Sequence, residues 1–302
     1  MLGVRVSKGT RRLRVAVLAT VAMIAFAANS VLARLALGAG DMSAMGYTSL
    51  RLISGAVTLA AIVYVRRSKT GRFTMVVSGR WWGAAALLGY ALAFSIAYLM
   101  LGAATGALIL FASVQIGMLA WAILKGDRPS LLEWLGLGVA LAALVFLVAP
   151  GLVAPPLLGA ALMVGAGLCW AAYSVLGQGS RAPLADTAGN FIRCLPIAVV
   201  LAIAGNLTQT STTAGLAYAI ASGALASGLG YAIWYAVLPM LTRTSAAFIQ
   251  LTVPAIAAAG GVVFIGEQLT VRLLVSSVGI LGGVALALLA ANRRRARANQ
   301  TP

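Results

Sequence analysis

Long apolar segments, separated by short polar or basic connections, follow one another along the whole chain. A helix that crosses a bilayer needs about 20 mostly apolar residues, and this pattern predicts ten such helices. The apolar stretch from 81 to 124 is too long for one span, so we predict a hairpin at Gly102-Ala103-Ala104. The ten predicted spans are 14–38, 44–65, 81–100, 103–124, 131–149, 156–178, 187–205, 214–238, 241–264 and 272–291.

The amino-acid composition agrees with a membrane protein. Hydrophobic residues make up 62% of the 302 residues and charged residues only 9%, whereas a soluble domain is close to half apolar and a quarter charged. Membrane lipid is therefore the expected partner of most side chains. The first basic and apolar segment resembles a signal peptide, but its apolar run exceeds the usual h-region, and we interpret it as an uncleaved first span.

The basic residues are concentrated at the two chain ends and in short clusters between the apolar runs. The net charge of +17 is compatible with nucleic-acid binding, but no basic stripe carries the interleaved aromatic residues that a nucleic-acid platform needs. Clusters beside apolar segments are instead typical of the positive-inside rule. They predict a multi-pass protein of the bacterial inner membrane with both termini in the cytoplasm and no nucleic-acid partner.

The two halves of the chain resemble each other in the order and spacing of several residues. The matched positions are Gly126-Asp127 with Gly266-Glu267, Tyr98 with Tyr235, Ser30 with Ser174, and Arg51 with Arg193. Because each half holds five spans, an odd number, the second half must enter the membrane from the opposite side. We therefore predict two inverted-topology repeats, 1–152 and 153–302, with a binding site at their interface.

One group of residues in the second half resembles a known family. The group consists of Pro254, a run of small residues, Gly266-Glu267-Gln268-Leu269-Thr270, Gly279 and Gly282-Gly283. It is similar to the second repeat of EamA-type proteins of the drug/metabolite transporter superfamily. The segments at Arg51 and Arg193 are similar to the arginine in the second helix of each repeat of that family. Within the family, the chain most resembles the YddG-type aromatic amino acid exporters.

The resemblance implies ten helices around a central cavity, alternating access between inward and outward states, and export of amino acids or related metabolites. The first repeat departs from the family pattern at two positions. Gln115 stands where Pro254 stands in the second repeat, and Asp127 replaces the usual glutamate. The missing proline leaves the bend of the fourth helix open, because a proline would remove a helical hydrogen bond.

Two predicted helices carry aromatic residues at intervals of four. The third span has Tyr90, Phe94 and Tyr98, and the eighth has Tyr231 and Tyr235, with Trp234 beside them. Residues four apart share one face of a helix, so these faces are candidates for the aromatic wall of a substrate path. An interfacial tyrosine belt is the alternative, and the depth of Tyr90 and Tyr231 in their spans favours the cavity.

Residues in four other spans are further candidates for substrate contact. They are Asn29 in the first span, Phe111 and Gln115 in the fourth, Trp170 and Tyr173 in the sixth, and Gln250 in the ninth. A glutamine amide can hold a substrate amine or carboxylate, because it both donates and accepts hydrogen bonds. It can equally bond one helix to another, and the sequence does not separate these two roles.

Arg51 and Arg193 are the two charges well inside the predicted spans. Such arginines can attract a substrate carboxylate or pin a gate by donating to carbonyl groups, and snorkelling to the nearest interface is the simpler alternative. Their occurrence at matched positions of both halves favours a gating or structural role first and substrate contact second. Pro254 is assigned to the same gating or structural group.

The residues that the chain lacks narrow its chemistry. It has no histidine, and its five acidic residues lie in connections or at the edge of a span. The sequence offers no metal-ligand set, no nucleophile with a base and no phosphate loop, so we expect no cofactor, no catalysis and no ATP-driven step. A buried carboxylate for proton exchange is also missing, which favours uniport-like transport.

Export of aromatic and other neutral amino acids by a monomer is therefore the expected function. The alternatives are efflux of other hydrophobic metabolites or toxic compounds, a proton-coupled exporter, and a helical scaffold that interacts with lipid. Movement of a solute across the membrane of protein-containing liposomes would separate a transporter from a scaffold.

Overall fold

The computed structural model describes residues 8–68, 78–126, 128–149, 154–178, 180–241 and 249–298. In lipid, the backbone polar groups of a chain must bond within their own segment or its close neighbours, and the described residues accordingly form helices with short connections. The helical segments are α1 Lys8–Gly38, α2 Ala44–Ser68, α3 Trp81–Ala97, α4 Ala103–Leu124, α5 Leu131–Val148, α6 Leu157–Leu176, α7 Pro183–Thr208, α8 Thr213–Met240, α9 Thr252–Ile265 and α10 Val271–Ala298.

Seven helices of the described residues are long and apolar enough to cross a membrane. The other three, α3, α5 and α9, are apolar but shorter. The ten predicted spans each fall on one of these helices, apart from residues 242–248 of the ninth span, which lie outside the described residues. The prediction of an all-α, multi-pass membrane protein is confirmed.

The predicted hairpin between the third and fourth spans is present. α3 ends at Ala97, before the predicted end at 100, because residues 98–101 form a turn. Gly102 is extended, with φ −69° and ψ 160°, and α4 starts directly after it. α7 is longer than its predicted span and begins at Pro183, where the missing N–H of proline costs no helical hydrogen bond.

Two helices change their helical type along their length. In α8 the segment Ser222–Leu229 is a π-helix between α-helical parts, and in α9 the segment Gly261–Ile265 is π-helical. Such π segments are frequent at functional sites. The helical backbone is interrupted at Leu251 and resumes with Pro254 in the first turn of α9, whereas α4 runs unbroken through Gln115. The proline accounts for this difference, because its ring clashes with the carbonyl four residues earlier.

The helix pairs with the most extensive packing are related when each helix is exchanged for the one five places away. α2 packs on α7, α5 on α10, and α4 on α9. In the same way, α6 packs on α3 and α4, and α1 packs on α8 and α9. The main buried core contains side chains from all these pairs. The two halves therefore share one interface rather than forming separate bundles.

The ends of α4 and α9 are shaped by two glycines. Gly266 follows α9 with φ 74°, and Gly126 follows α4 with φ 91°. A residue with a Cβ is strained in this left-handed region, so glycine is the favoured residue at both turns. The turn at Gly266 directs Glu267 back toward the start of α4. Asp127, which the sequence matches with Glu267, lies outside the described residues.

Candidate functional site

A cavity of about 800 Å³ lies between the helices. Its wall is formed by residues of α1, α3, α4, α6, α7 and α8 and by Gln250, just before α9. At one end it reaches residues 78–80, before α3, and the connection between α6 and α7. Tyr98 and Glu267, at the opposite end of the bundle, do not line it. The cavity is therefore a pocket whose mouth lies where α3 and α7 begin.

Most of the contact residues predicted from the sequence line this cavity. They are Asn29, Tyr90, Phe94, Phe111, Trp170, Tyr173, Tyr231, Trp234, Tyr235 and Gln250. Two others do not line it: Gln115 is half-buried on α4, and Tyr98 is fully buried beyond the closed end. Gln115 occupies the position that the sequence matches with Pro254, and Pro254 is buried and does not line the cavity either.

Several lining residues are not among those predicted. Phe26 contacts the rings of Tyr231 and Trp234, with ring centroids 5.5 and 6.1 Å apart. Thr187 on α7 also lines the cavity, and its hydroxyl bonds to the hydroxyls of Tyr173 (3.1 Å) and Tyr235 (3.3 Å). Phe26 precedes the predicted residue Asn29 by three positions on α1, so helical spacing is the signal that places it on the same face.

Trp170 is the centre of the aromatic wall. Its ring centroid lies 4.8 Å from that of Tyr90, 5.2 Å from Tyr173 and 5.7 Å from Tyr231. The rings of Tyr173 and Tyr231 stack on it at interplanar angles of 29° and 17°. Ring contacts at such distances contribute about 0.5–1.5 kcal/mol each beyond the area they bury. The rings therefore hold one another in place and give the cavity an apolar wall built from three helices.

Arg51 lies directly behind this wall and is 2% exposed. Its Nη2 donates to the Tyr90 hydroxyl (2.8 Å) and its Nε donates to Ser227 Oγ (3.4 Å). The guanidinium carbon lies 5.1 and 4.8 Å from the ring centroids of Tyr90 and Phe94, which places it in cation–π contact with both. Arg51 is thus held inside the protein and does not snorkel to an interface.

Asn29 accepts two hydrogen bonds from serines of the π-helical part of α8. Its Oδ1 accepts from Ser222 Oγ (2.8 Å) and from Ser227 Oγ (3.4 Å). Ser222 in turn accepts from the Tyr47 hydroxyl (2.8 Å). A π-helix bonds residue i to residue i+5, so residues five apart come close to the same face. The π turn therefore brings two hydroxyls onto one amide oxygen.

Comparison with known proteins identifies the family. A model of the EamA-like transporter family matches residues 157–289. An uncharacterized protein of Pseudomonas aeruginosa is 48% identical over 94% of this chain and 98% of its own length. The threonine/homoserine exporter RhtA of Salmonella typhimurium is 32% identical over 76% of this chain and 76% of its own length. The chain belongs to the EamA-like transporter family.

A solved crystal structure has the same fold as this EamA-like transporter. It superposes with a TM-score of 0.61 over 91% of this chain and 99% of that chain, at 22% identity. The protein is a transporter and not an enzyme. The resemblance to EamA-type proteins, predicted from the residues around Pro254 and Gly266-Glu267, is therefore confirmed at the level of the family. The described residues contain no group of three metal-ligating side chains. The narrower resemblance to YddG-type exporters stays a prediction.

At the mouth of the cavity, this EamA-like transporter attaches the connection before α3 to α7. Asp186 accepts hydrogen bonds from Ser78 Oγ and from the backbone N–H of Gly79 (3.0 Å). Arg193 donates to the Ser78 carbonyl, and its guanidinium carbon lies 5.7 Å from the ring centroid of Trp81. Arg193 therefore holds a connection in place at the edge of the mouth.

The opposite end is closed around Glu267, which is positioned by the turn at the end of α9. Its carboxylate accepts from the backbone N–H groups of Ala103 (2.7 Å) and Ala104 (3.3 Å) and so caps the N-terminus of α4. Arg34 Nε lies 3.9 Å from the same carboxylate, and Arg34 Nη1 donates to the Tyr98 carbonyl (3.3 Å). We call these contacts the Glu267 lock, because they join α1, α4, α9 and the turn after α3.

Proposed function

We propose that the protein exports amino acids across the bacterial inner membrane by alternating access, in a uniport-like manner. The observation that carries this proposal is the cavity with one open end and an aromatic wall. Its volume of about 800 Å³ falls within the range of about 300–1,000 Å³ that is usual for small-molecule pockets. Relatives named as threonine/homoserine exporters in Salmonella typhimurium and Escherichia coli support amino acids as the substrate class.

The lining favours amino acids with uncharged side chains, aromatic ones included. The rings around Trp170 offer apolar surface, and Asn29 and Gln250 offer amide groups. The charged side chains among the described lining residues are Arg80, Arg181 and Asp186, all at the mouth. Deeper in the cavity, selection therefore depends on shape and apolar contact rather than on the charge of a substrate side chain.

Two inverted repeats, 1–152 and 153–302, are part of the proposal. The helix packing supports them, because α1 contacts α8 and α9 as α6 contacts α3 and α4. The matched glycines Gly126 and Gly266 also share a positive φ. Residues 150–153, which include the boundary, lie outside the described residues. Movement of one repeat against the other would close the present mouth and open the opposite end.

The basic residues at the mouth support an orientation in which the mouth faces the cytoplasm. Arg80 and Arg181 line it, and they belong to two of the basic connections that the positive-inside rule assigns to the cytoplasm. The Glu267 lock then faces the outside. In this orientation the described conformation would be inward-open, so that a substrate could enter from the cytoplasm while the path to the outside is shut.

The uniport-like mechanism rests on the positions of the acidic residues. Glu133 and Asp186 lie in the first turns of α5 and α7, and Asp41 and Glu267 lie in connections. Asp127 follows Gly126 at the end of the fourth predicted span. None of the five acids in the sequence stands at the centre of a predicted span, where a coupling carboxylate would be expected. Export down a concentration gradient is therefore the simplest mechanism.

Reconstitution in liposomes tests the proposal. The purified protein should move labelled threonine and phenylalanine but not glucose, with or without a pH gradient. Trp170→Ala removes the centre of the aromatic wall and should lower this flux by about tenfold or more. Trp134→Ala is the matched control, because this indole is 50% exposed on α5 and does not line the cavity.

Each other result favours a different function. Flux that requires the pH gradient would replace the uniport-like mechanism with a proton-coupled exporter. Movement of apolar metabolites or toxic compounds without amino acids would favour the broader efflux function. Absence of any solute flux would refute transport of these solutes and favour a scaffold.

A further inference from the structure

We propose that Tyr90 and Asn29 form a subsite for the carboxylate group of the substrate, and that Arg51 acts behind them as a positioning residue. The inference rests on the proposed function, because it names the chemical group by which the cavity would hold an amino acid. Two observations carry it: the direction of the hydrogen bonds around Arg51, and the missing counter-charge of its guanidinium group.

Arg51 orients the Tyr90 hydroxyl. An arginine can only donate hydrogen bonds, so the 2.8 Å contact between Arg51 Nη2 and Tyr90 Oη uses a lone pair of the phenol oxygen. The phenol proton then points elsewhere, and Tyr90 lines the cavity. A hydroxyl that already accepts from a cation is a stronger donor, because hydrogen bonds in series polarise one another. Tyr90 therefore offers the cavity a strengthened donor.

The amide of Asn29 is oriented in the same sense. Arg51 Nε donates to Ser227 Oγ (3.4 Å), which donates to Asn29 Oδ1 (3.4 Å). Ser222 Oγ donates to the same oxygen (2.8 Å) after accepting from the Tyr47 hydroxyl (2.8 Å). The oxygen of Asn29 is thus used inside the protein, which leaves its NH₂ group for the cavity. Both polar groups therefore present donors, as a carboxylate requires.

The charge on Arg51 lacks a counter-ion among the described residues. Its side chain is 2% exposed, and its Nη1 has no hydrogen-bond partner there. An unneutralised charge away from water is costly, and the rings of Tyr90 and Phe94, with centroids 5.1 and 4.8 Å away, offset only part of that cost. An anion bound at Tyr90 would supply the remaining negative charge at short range.

The surroundings of the subsite fit the rest of an amino acid. The ring centroid of Trp170 lies 4.8 Å from that of Tyr90, and the centroid of Phe94 lies 5.3 Å from it. An uncharged side chain can pack on these rings while the carboxylate is bound. Among the described lining residues, the one carboxylate that would repel such a group is Asp186, at the mouth. The ligand class is a small carboxylate with an uncharged side chain.

A purely structural role for Arg51 predicts a different result. Tyr90 and Asn29 would then only fill space, and ligands with and without a carboxylate would bind equally well. A carboxylate and its methyl ester share the same side chain but differ in negative charge. Their comparison therefore separates recognition from structural support.

The test is a binding titration of the full-length protein in detergent. Tryptophan fluorescence reports binding, since Trp170 and Trp234 line the cavity, and flux of labelled threonine into liposomes is measured in parallel. The ligands are L-threonine, 3-phenylpropionate and the methyl ester of each. Tyr90→Phe removes the hydroxyl and keeps the ring packing. Tyr64→Phe is the matched control, because Tyr64 is 53% exposed on α2.

We expect the unaltered protein and Tyr64→Phe to bind each carboxylate about tenfold or more tightly than its ester, as for a hydrogen bond to a charged group. In Tyr90→Phe this ratio should fall several-fold, because only the Asn29 donors remain, while the affinity for the esters is kept. Asn29→Asp should reverse the preference, because its carboxylate keeps the two serine bonds but replaces the amide donors with a negative charge. Arg51 is left unchanged in the test, since its loss would also disturb folding.

Three results would overturn the subsite: equal affinity for acids and esters, no measurable binding of either acid, or an equal loss of both in Tyr90→Phe. Threonine flux with equal affinities would refute the subsite and leave the proposed function standing. A preference for 3-phenylpropionate over its ester, without amino acid flux, would support the subsite and refute the proposed function.

Discussion

Replacing Glu267 with glutamine should open the closed end of the cavity more often. The carboxylate accepts from Ala103 N at 2.7 Å and Ala104 N at 3.3 Å, and Arg34 Nε lies 3.9 Å away. The fit is close, since a Cβ added at Gly102 would lie 3.0 Å from both carboxylate oxygens. Glutamine has the same shape and keeps one oxygen, so the change removes the charge and one acceptor without leaving a hole.

The free energy lost from the closed state can be bounded from these contacts. A hydrogen bond to a charged group contributes about 1.5–3 kcal/mol, and an anion at a helix N-terminus contributes about 0.3–1 kcal/mol. Arg34 adds little, because its side chain is 28% exposed and water screens such pairs. Since glutamine retains one acceptor, we expect a loss of about 1–2 kcal/mol, or about 5- to 30-fold in the ratio of closed to open molecules.

Chemical labelling from outside measures this ratio. Phe111 lines the cavity, and a cysteine at this position, with Cys169 and Cys194 replaced by alanine, reports access to it. In the proposed orientation, a membrane-impermeant maleimide added to right-side-out membrane vesicles reaches this cysteine only through the end closed by the Glu267 lock. The labelling rate should rise about 5- to 30-fold in Glu267→Gln and stay unchanged in Gln268→Ala, at the exposed neighbouring position.

Two results would contradict the role of Glu267 in the lock. Equal labelling rates in Glu267→Gln and the parent would show that the carboxylate does not hold the end closed. Faster labelling in both Glu267→Gln and Gln268→Ala would indicate general loosening of this end. Melting temperatures in detergent test for general loosening. Loosening would lower the melting temperature of both variants, whereas a change in gating at Glu267 would leave that of Gln268→Ala unchanged.

Two further pairs of substitutions test the cavity and the helix packing. Gln250→Ala should lower threonine flux about 2- to 10-fold, because Gln250 lines the cavity, whereas Gln115→Ala should change it little; equal losses would contradict this assignment. Gly223→Ala should lower the free energy of unfolding by about 1–3 kcal/mol through overpacking, and with it the melting temperature. The added Cβ would lie 2.2 Å from the Arg51 carbonyl oxygen. Gly138→Ala is the control, because a Cβ there meets nothing within 4 Å. Equal melting temperatures would refute the close approach of α2 and α8.

The number and order of the helices could be predicted because lipid leaves an apolar chain few other structures. The turn before Gly102 falls where the apolar run exceeds one membrane thickness. The π segment Ser222–Leu229 could not be predicted in this way, because it lies where two backbones meet. A Cβ at Gly223 would lie 2.2 Å from the Arg51 carbonyl oxygen. The spacing of apolar residues along the sequence does not predict such a contact between two backbones.

The aromatic wall could be predicted from the spacing of residues on helix faces. Which of these aromatic residues line the cavity and which are buried at its closed end could not. Tyr98 and Tyr235 are matched positions, yet Tyr235 lines the cavity while Tyr98 is 0% exposed at the closed end. In the proposed arrangement of two inverted repeats, each conformation opens one end only. Matched residues are therefore equivalent in the sequence and different in any one conformation. We expect Tyr98 to line the cavity when the outer end opens.

The Glu267 substitution also bears on the coupling of transport to protons. Glutamine resembles a protonated glutamate in shape and charge, so Glu267→Gln imitates the protein with a proton on this carboxyl group. If a proton opened the outer end in each cycle, the parent would need a pH gradient and Glu267→Gln would not. We expect flux in both proteins to ignore the gradient, because Glu267 does not line the cavity and the spans offer a proton no carboxylate at their centres. A gradient dependence that disappears in Glu267→Gln would replace uniport-like export with proton exchange at the lock.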